Sequence, residues 1–203
     1  MRRIADSTVR RLSLYLRFLE ESAQRGLVTI SSDELARRGG TTSAQVRKDL
    51  SFFGSFGKRG LGYSVPELTE SLREILGLRK DWKVIIVGAG KIGTALAQYR
   101  GFRVVAVYDH DPKKIGTRWD SLSVRDMAQI ERDIQAEHPD IAVLTTPADE
   151  AQTVVDRLVA AGIRALLNFA PIQLHVPSDV TLKNVNMAME LEGLSFALTN
   201  RDR

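Results

Sequence analysis

The run Val84-Ile85-Ile86-Val87-Gly88-Ala89-Gly90-Lys91-Ile92-Gly93 constrains this chain more than any other stretch, because it reads as a buried strand, a tight glycine turn and a helix start. Gly88 makes the turn, Gly90 lets backbone N–H groups approach a phosphate, and Gly93 lets the helix pack closely on the strand. Unpaired donors and partial positive charge at the helix N-terminus favour a bridging pyrophosphate. A second apolar run, Val104 to Tyr108, ends in Asp109, 21 residues past Gly88. A carboxylate placed there accepts the hydroxyls of an adenosine ribose and repels a 2′-phosphate, so the pattern points to NADH and NAD⁺ rather than NADP(H). Ala89, Lys91 and Ile92 in the turn, with His110 and Lys114 beside the acid, complete this part of the candidate cofactor site.

The rest of the C-terminal portion alternates strands and helices. Leu122-Ser123-Val124 suits a short strand, and a helix is expected from about Arg125 to Glu137, broken at Pro139-Asp140. Ile141 to Leu144 reads as a buried strand ending in Thr145-Thr146-Pro147. A helix from about Asp149 to Ala161 stops at Gly162, and Ile163 to Leu167 forms a strand ending in Asn168-Phe169-Ala170-Pro171. A last strand is expected over Val180 to Val185. This order predicts a Rossmann-like, doubly wound parallel sheet, with ligands held beyond the strands' C-terminal ends. Gly88, Asp109, Thr145, Thr146, Pro147, Asn168, Phe169, Ala170 and Pro171 all fall at such ends. Thr145 and Asn168 suit helix or turn caps equally well. Asn186 to Leu198 reads as a helix with Met187, Leu191, Leu194 and Leu198 on one side. It could cover its own domain's core or a partner subunit, and the sequence leaves both open.

About eighty residues precede the glycine motif, and their charge differs from that of the remaining chain. Residues 1–80 hold fifteen Lys/Arg against nine Asp/Glu, while the remainder holds fourteen against sixteen, so the net +4 conceals a basic segment joined to a slightly acidic body. A basic half implies a polyanionic partner. Val9, Leu12, Leu16, Leu19 and Ala23 mark one apolar face of a first helix, which Gly26 ends, and Val28 to Ile30 suits a short strand. Ser31 with Glu34 caps a short helix through Arg38, Gly39-Gly40 makes a turn, and Thr42 opens a helix to about Phe53. This is a helix-turn-helix pattern. Val46, Leu50 and Phe53 face the core, leaving Ala44, Arg47, Lys48 and Ser51 outward, with Ser43 and Gln45 near the helix start. Small and basic residues there suit the major groove of double-stranded DNA. The glycine-rich stretch from Gly54 to Val65 reads as a hairpin wing with Lys58 and Arg59 at its tip, placed for the backbone or minor groove. Pro66 begins one more helix, with Leu68, Leu72 and Ile75 inward and Gly77 as its stop. The expected division is a winged helix-turn-helix domain at 1–80, a cofactor domain at 81–185 and a C-terminal dimerisation helix at 186–203.

Several classes of chemistry are disfavoured. The chain has no Cys, so it holds no disulfide or thiolate metal site, and no metal site is expected. No apolar run reaches membrane-spanning length and Met1-Arg2-Arg3 leads into no signal core, which points to a cytoplasmic protein. The histidines are His110, His138 and His175, and none is paired for hydride-transfer acid–base work, so no catalytic residue is assigned. A small NAD-dependent dehydrogenase or CoA-binding module with a basic extension is the competing reading.

Gln45-Val46-Arg47-Lys48-Asp49-Leu50-Ser51-Phe52-Phe53-Gly54 and Gly57-Lys58-Arg59-Gly60-Leu61-Gly62-Tyr63, with the glycine motif, Tyr99 to Phe102, Asn168 to Pro171 and Leu194 to Ala197, closely resemble the redox-sensing transcriptional repressors of the Rex family. The resemblance covers nearly the whole chain. It implies a homodimer whose winged helices bind palindromic operators, whose C-terminal helix is exchanged between subunits, and which leaves DNA when NADH accumulates. It also implies that Arg17 and Tyr99 lie near the nicotinamide and the domain interface. The family commonly has Asp where this chain has Asn186, a position expected to exchange partners between that Arg and that Tyr.

Overall fold

The computed structural model describes residues 4–57, 60–91 and 101–201. The chain divides into two compact units, Met1–Lys80 and Asp81–Arg203.

In the first unit, α1 (Asp6–Gln24) is followed by β1 (Thr29–Ile30), α2 (Ser32–Arg38), α3 (Ser43–Ser51), β2 (Tyr63–Ser64) and α4 (Val65–Ile75). The short helices are set by their caps. Ser31 Oγ accepts from Glu34 N at 3.1 Å, Thr42 Oγ1 from Gln45 N at 3.2 Å, and Ser64 Oγ from Glu67 N at 3.4 Å. Each such cap contributes about 1 kcal/mol to its helix. Leu12, Tyr15, Leu19, Leu35, Val46 and Leu72 are buried in one apolar cluster that draws on all four helices. The buried face of α1 is Thr8, Leu12, Tyr15, Leu16, Leu19 and Ser22, so the expected stripe is corrected at both ends, where Val9 and Ala23 are exposed. In the wing segment, Tyr63 and Ser64 pair antiparallel with Ile30 and Thr29, and Gly57 lies close against Gly62, where a Cβ on Gly57 would sit 2.6 Å from Gly62 O. Lys58 and Arg59 lie outside the described residues.

The second unit is built on a seven-stranded sheet of order β5-β6-β4-β3-β7-β8-β9. Its strands are β3 (Trp82–Val87), β4 (Phe102–Asp109), β5 (Arg118–Trp119), β6 (Leu122–Asp126), β7 (Ile141–Leu144), β8 (Ala165–Asn168) and β9 (Thr181–Asn184). All neighbours run parallel except β5, a two-residue edge strand antiparallel to β6. A 3₁₀ turn at Met127–Gln129 leads into α5 (Ile130–Glu137), shorter than expected, and α6 (Ala148–Ala160) joins β7 to β8. Ile85, Val87, Ala106, Ala142 and Leu144 bury one sheet face with residues of these two helices. Val84, Ile86, Val107, Val124 and Val143 line the other. β3 lies between β4 and β7, where the strand order reverses, and this switch point opens a crevice at its C-terminal end.

The terminal helix α7 (Met187–Thr199) buries none of its residues. Met187, Met189, Leu191, Leu194, Phe196 and Leu198 are 59 to 71% exposed. Covering its own domain's core is therefore not its role here. Among the described residues no helix is long and apolar enough to cross a membrane, and no group of metal-ligating side chains comes together.

Candidate functional site

The crevice beyond β3 is a cleft of about 520 Å³. Gly88 follows β3 with φ +102, and a Cβ there would lie 2.7 Å from the carbonyl and hydroxyl oxygens of Thr145, so only glycine fits the turn. Around Gly90 a Cβ would meet nothing within 4 Å, which leaves room for a bound group over the turn. Thr145 Oγ1 donates to Gly88 O at 2.7 Å, tying the start of the β7 loop to the turn. Thr146 Oγ1 is buried without a hydrogen-bond partner in the same wall of the cleft. A hydroxyl left in that state costs about 1–3 kcal/mol, which a polar ligand would recover. These features fit a dinucleotide.

Asp109 ends β4 and is buried. Its Oδ2 accepts from Ala89 N at 2.9 Å and Lys114 Nζ at 2.8 Å, and its Oδ1 from Asp111 N at 2.9 Å. Burial pushes its pKa up, but the hydrogen bonds from Lys114 and from the Asp111 and Ala89 backbones outweigh this and hold it below the usual carboxylate range. The carboxylate thus cross-links the glycine turn to the loop after β4, with little acceptor capacity left for two ribose hydroxyls. The Ala89 and Gly90 N–H groups, expected to face pyrophosphate, donate to Asp109 and to Gly88 O. Lys91 is exposed at the helix start, whereas Ile92, Gly93 and Tyr99 lie outside the described residues. His110 and Pro147 line the cleft, together with Asp111, Pro112 and Glu150, which sequence reasoning missed. The His110 Nδ1 is 3.4 Å from Glu150 Oε2.

The segment after β8 stays out of the cleft lining. Asn168 is buried, its amide nitrogen donates to Ala170 O, Ile172 O and Asn184 Oδ1, and its Oδ1 accepts from Ala170 N at 2.8 Å. It is the hub of a turn, with four hydrogen bonds to its own chain. Ala170 is buried, Phe169 packs against the sheet face, and Pro171 is exposed.

In the first unit, Ala44, Arg47, Lys48 and Ser51 are exposed on α3, with Ser43 and Gln45 half-buried. Arg47 Nη1 donates to Ser32 Oγ at 2.9 Å, and the Ser51 hydroxyl donates to Lys48 O at 2.8 Å. Beneath them lies a group unforeseen from sequence. Asp49 is fully buried and receives Arg11 through Nε at 2.6 Å and Nη2 at 2.8 Å, the Tyr15 hydroxyl at 3.1 Å and Gln45 Nε2 at 2.8 Å. Burial raises its pKa, yet hydrogen bonds from Arg11, Gln45 and Tyr15 outweigh that and hold it low. Tyr15 is pushed up to about 12 by burial and by Asp49. The available signal was a carboxylate next to the core positions Val46 and Leu50. Arg17 is exposed on α1. Asn186 caps α7, its Oδ1 accepting from Ala188 N at 3.0 Å and Met189 N at 3.2 Å.

Comparison with known proteins covers the entire chain. A family described as "Putative DNA-binding protein N-terminus" matches residues 3–51, and one described as "CoA binding domain" matches residues 79–172. The redox-sensing transcriptional repressor Rex of Syntrophomonas wolfei is 45% identical, over 98% of this chain and 98% of that protein. That of Desulfitobacterium hafniense is 43% identical, over 98% and 97%. A crystal structure of RSP in complex with beta-NAD+ and operator DNA superposes with a TM-score of 0.93 at 40% identity, over 100% of this chain and 95% of that one. A structure of RSP with beta-NADH gives 0.89 at 39% identity, over 98% and 96%.

Proposed function

The chain belongs to the Rex family of redox-sensing transcriptional repressors, and from that membership we propose that it binds palindromic operator DNA as a homodimer and leaves it when NADH rises. The observation that carries this reading is the full-length likeness to RSP, a repressor solved on operator DNA with NAD⁺ and separately with NADH. Residues 1–80 supply the DNA-binding surface, with Ser43, Ala44, Gln45, Arg47, Lys48 and Ser51 on α3 entering the major groove and Lys58 and Arg59 on the phosphates or minor groove. Residues 81–185 hold NAD(H) through the glycine turn, Asp109, Lys114 and the Thr145-Thr146-Pro147 wall. The segment 186–203 joins two subunits, because an apolar helix exposed along its whole length requires a partner surface.

No turnover is assigned. A bound nicotinamide contributes a difference of one positive charge between its two oxidation states, and Arg17 and Tyr99 are the groups we assign to reading it. Two dimer states that bind the two forms unequally convert that difference into a change in DNA affinity. Acting on operator DNA against the NADH pool is work for a cytoplasmic protein. The test is a gel-shift titration of the full-length protein on palindromic duplexes, with NADH and NAD⁺ added separately. Sequence-selective binding of one dimer per duplex, lost with NADH, is expected. Steady oxidation of NADH with a small carbonyl substrate, without selective DNA binding, would favour a dehydrogenase instead.

A further inference from the structure

Gln45 and Asp49 are one helical turn apart on α3, and Gln45 Nε2 donates to Asp49 Oδ1 at 2.8 Å. Asp49 cannot turn away from this bond, since its oxygens also hold the Arg11 guanidinium and the Tyr15 hydroxyl inside the core. The Arg11 pair and the surrounding hydrogen bonds keep it ionised. An ionised carboxylate accepts and never donates. It therefore selects which end of the Gln45 amide turns inward. The nitrogen is held by Asp49, which leaves the carbonyl oxygen Oε1 as the acceptor of the amide. Among the described residues nothing donates to that oxygen, and it is not one of the buried atoms without a partner. Its neighbours on the outer face, Arg47 and Lys48, offer donors only.

Resting on the reading of α3 as the DNA-reading helix, we propose that Gln45 is a specificity-determining residue that presents a hydrogen-bond acceptor to the major groove, and that buried Asp49 is the positioning residue that locks it so. An acceptor pairs with an exocyclic amine, adenine N6 or cytosine N4, and is repelled by the keto oxygens of guanine O6 and thymine O4. At one position of each half-site, on the strand that Gln45 approaches, the protein prefers an amino base over a keto base. Arg47 and Lys48, as donors, prefer the opposite class at theirs.

The experiment measures operator affinity for duplexes in which each base pair of the half-site is inverted in turn, using the wild type, Gln45→Ala and Asp49→Asn. A binding site selected from random duplexes by the wild type supplies the starting sequence. The wild type loses about fivefold at the Gln45 position when the amino base becomes a keto base, the worth of one hydrogen bond. Gln45→Ala flattens that position alone. Asp49→Asn replaces an obligate acceptor by a group that also donates, so the Gln45 amide is free to turn over. The preference falls towards parity there while the other positions keep their order.

Replacing the adenine or cytosine with an analogue lacking only the exocyclic amine adds a readout independent of folding. The wild type loses affinity for it and Gln45→Ala does not. The proposal is overturned if Gln45→Ala leaves every position unchanged, or if the position it flattens prefers guanine or thymine. Asp49's part is overturned if Asp49→Asn weakens all duplexes alike and retains the amino preference. Failure of the DNA reading itself looks different, since the wild type would then select no sequence at all.

Discussion

At the end of β4, Lys114 holds its ammonium 2.8 Å from Asp109, so a 2′-phosphate arriving there meets a cation as well as a carboxylate. The acid alone would exclude NADPH; the pair excludes it less. NADH should still bind more tightly than NADPH, and Lys114→Ala should widen the gap by about fivefold, the scale of one near-contact charge pair in a solvated site. Asp109→Ala should narrow the gap and weaken both cofactors, because the carboxylate also holds the Ala89 N–H of the glycine turn. Cofactor fluorescence titrations of the variants measure both effects, and an unchanged ratio in Lys114→Ala would contradict the electrostatic argument. Asn186 poses a similar question at the other end of the unit. It caps α7 through Oδ1, a task Asp performs almost equally well. Asn186→Asp therefore preserves the cap and adds a charge, and under the switching role that the family resemblance implies this charge forms a bond about twice as strong as an amide's. NADH should release the operator from this variant over a narrower concentration range, with cofactor-free affinity unchanged. Superimposable release curves would leave Asn186 a cap and nothing more.

Among the elements, α1 and α3 are joined by the Arg11–Asp49 pair as well as by apolar contact. Asp49's folded pKa is depressed, so its stabilising contribution is complete above the unfolded value of about 3.9 and fades as pH falls through the lower folded value. Arg11→Met leaves a buried carboxylate unpaired and should cost about 3–5 kcal/mol at neutral pH. Its Asp49 is then protonated more easily, so the loss relative to wild type should shrink on acidification. Thermal melts from pH 7 to pH 4 test this, and a deficit that does not vary with pH would argue that Arg11 contributes packing alone. Such a pair is hard to see in a sequence because its partners are 38 residues apart. Local periodicity and caps were legible. They led to the capped helices of the first unit, the strand and glycine turn at Gly88 and the parallel order of the main strands. Tertiary pairing was not legible. Gly54 to Val65 reads as a wing, but nothing local in it reveals that Tyr63 pairs with Ile30 of β1. The two residues of β5 carry no period to read. Asn168 sits at a strand end as a ligand-binding residue would, but four hydrogen bonds to its own chain occupy it.

For the whole molecule, the basic first eighty residues and the exposed apolar α7 describe a protein completed by two partners, a polyanion and a second copy of itself. Leu194 is 62% exposed on α7, so Leu194→Glu should leave each subunit folded while shifting sedimentation from dimer to monomer. A variant that remains dimeric would place the interface elsewhere. Monomers also lose the linked contact of two half-sites, so palindromic operator affinity should fall much further than affinity for a single half-site. The most direct test of the central claim is fluorescence anisotropy of a labelled palindromic operator bound to the wild-type dimer, titrated with NADH and, separately, with NAD⁺ at one fixed salt concentration. NADH is expected to lower the anisotropy to that of free DNA, NAD⁺ alone to leave the complex intact, and added NAD⁺ to raise the NADH concentration required. Equal release by both cofactors, or by neither, would contradict it.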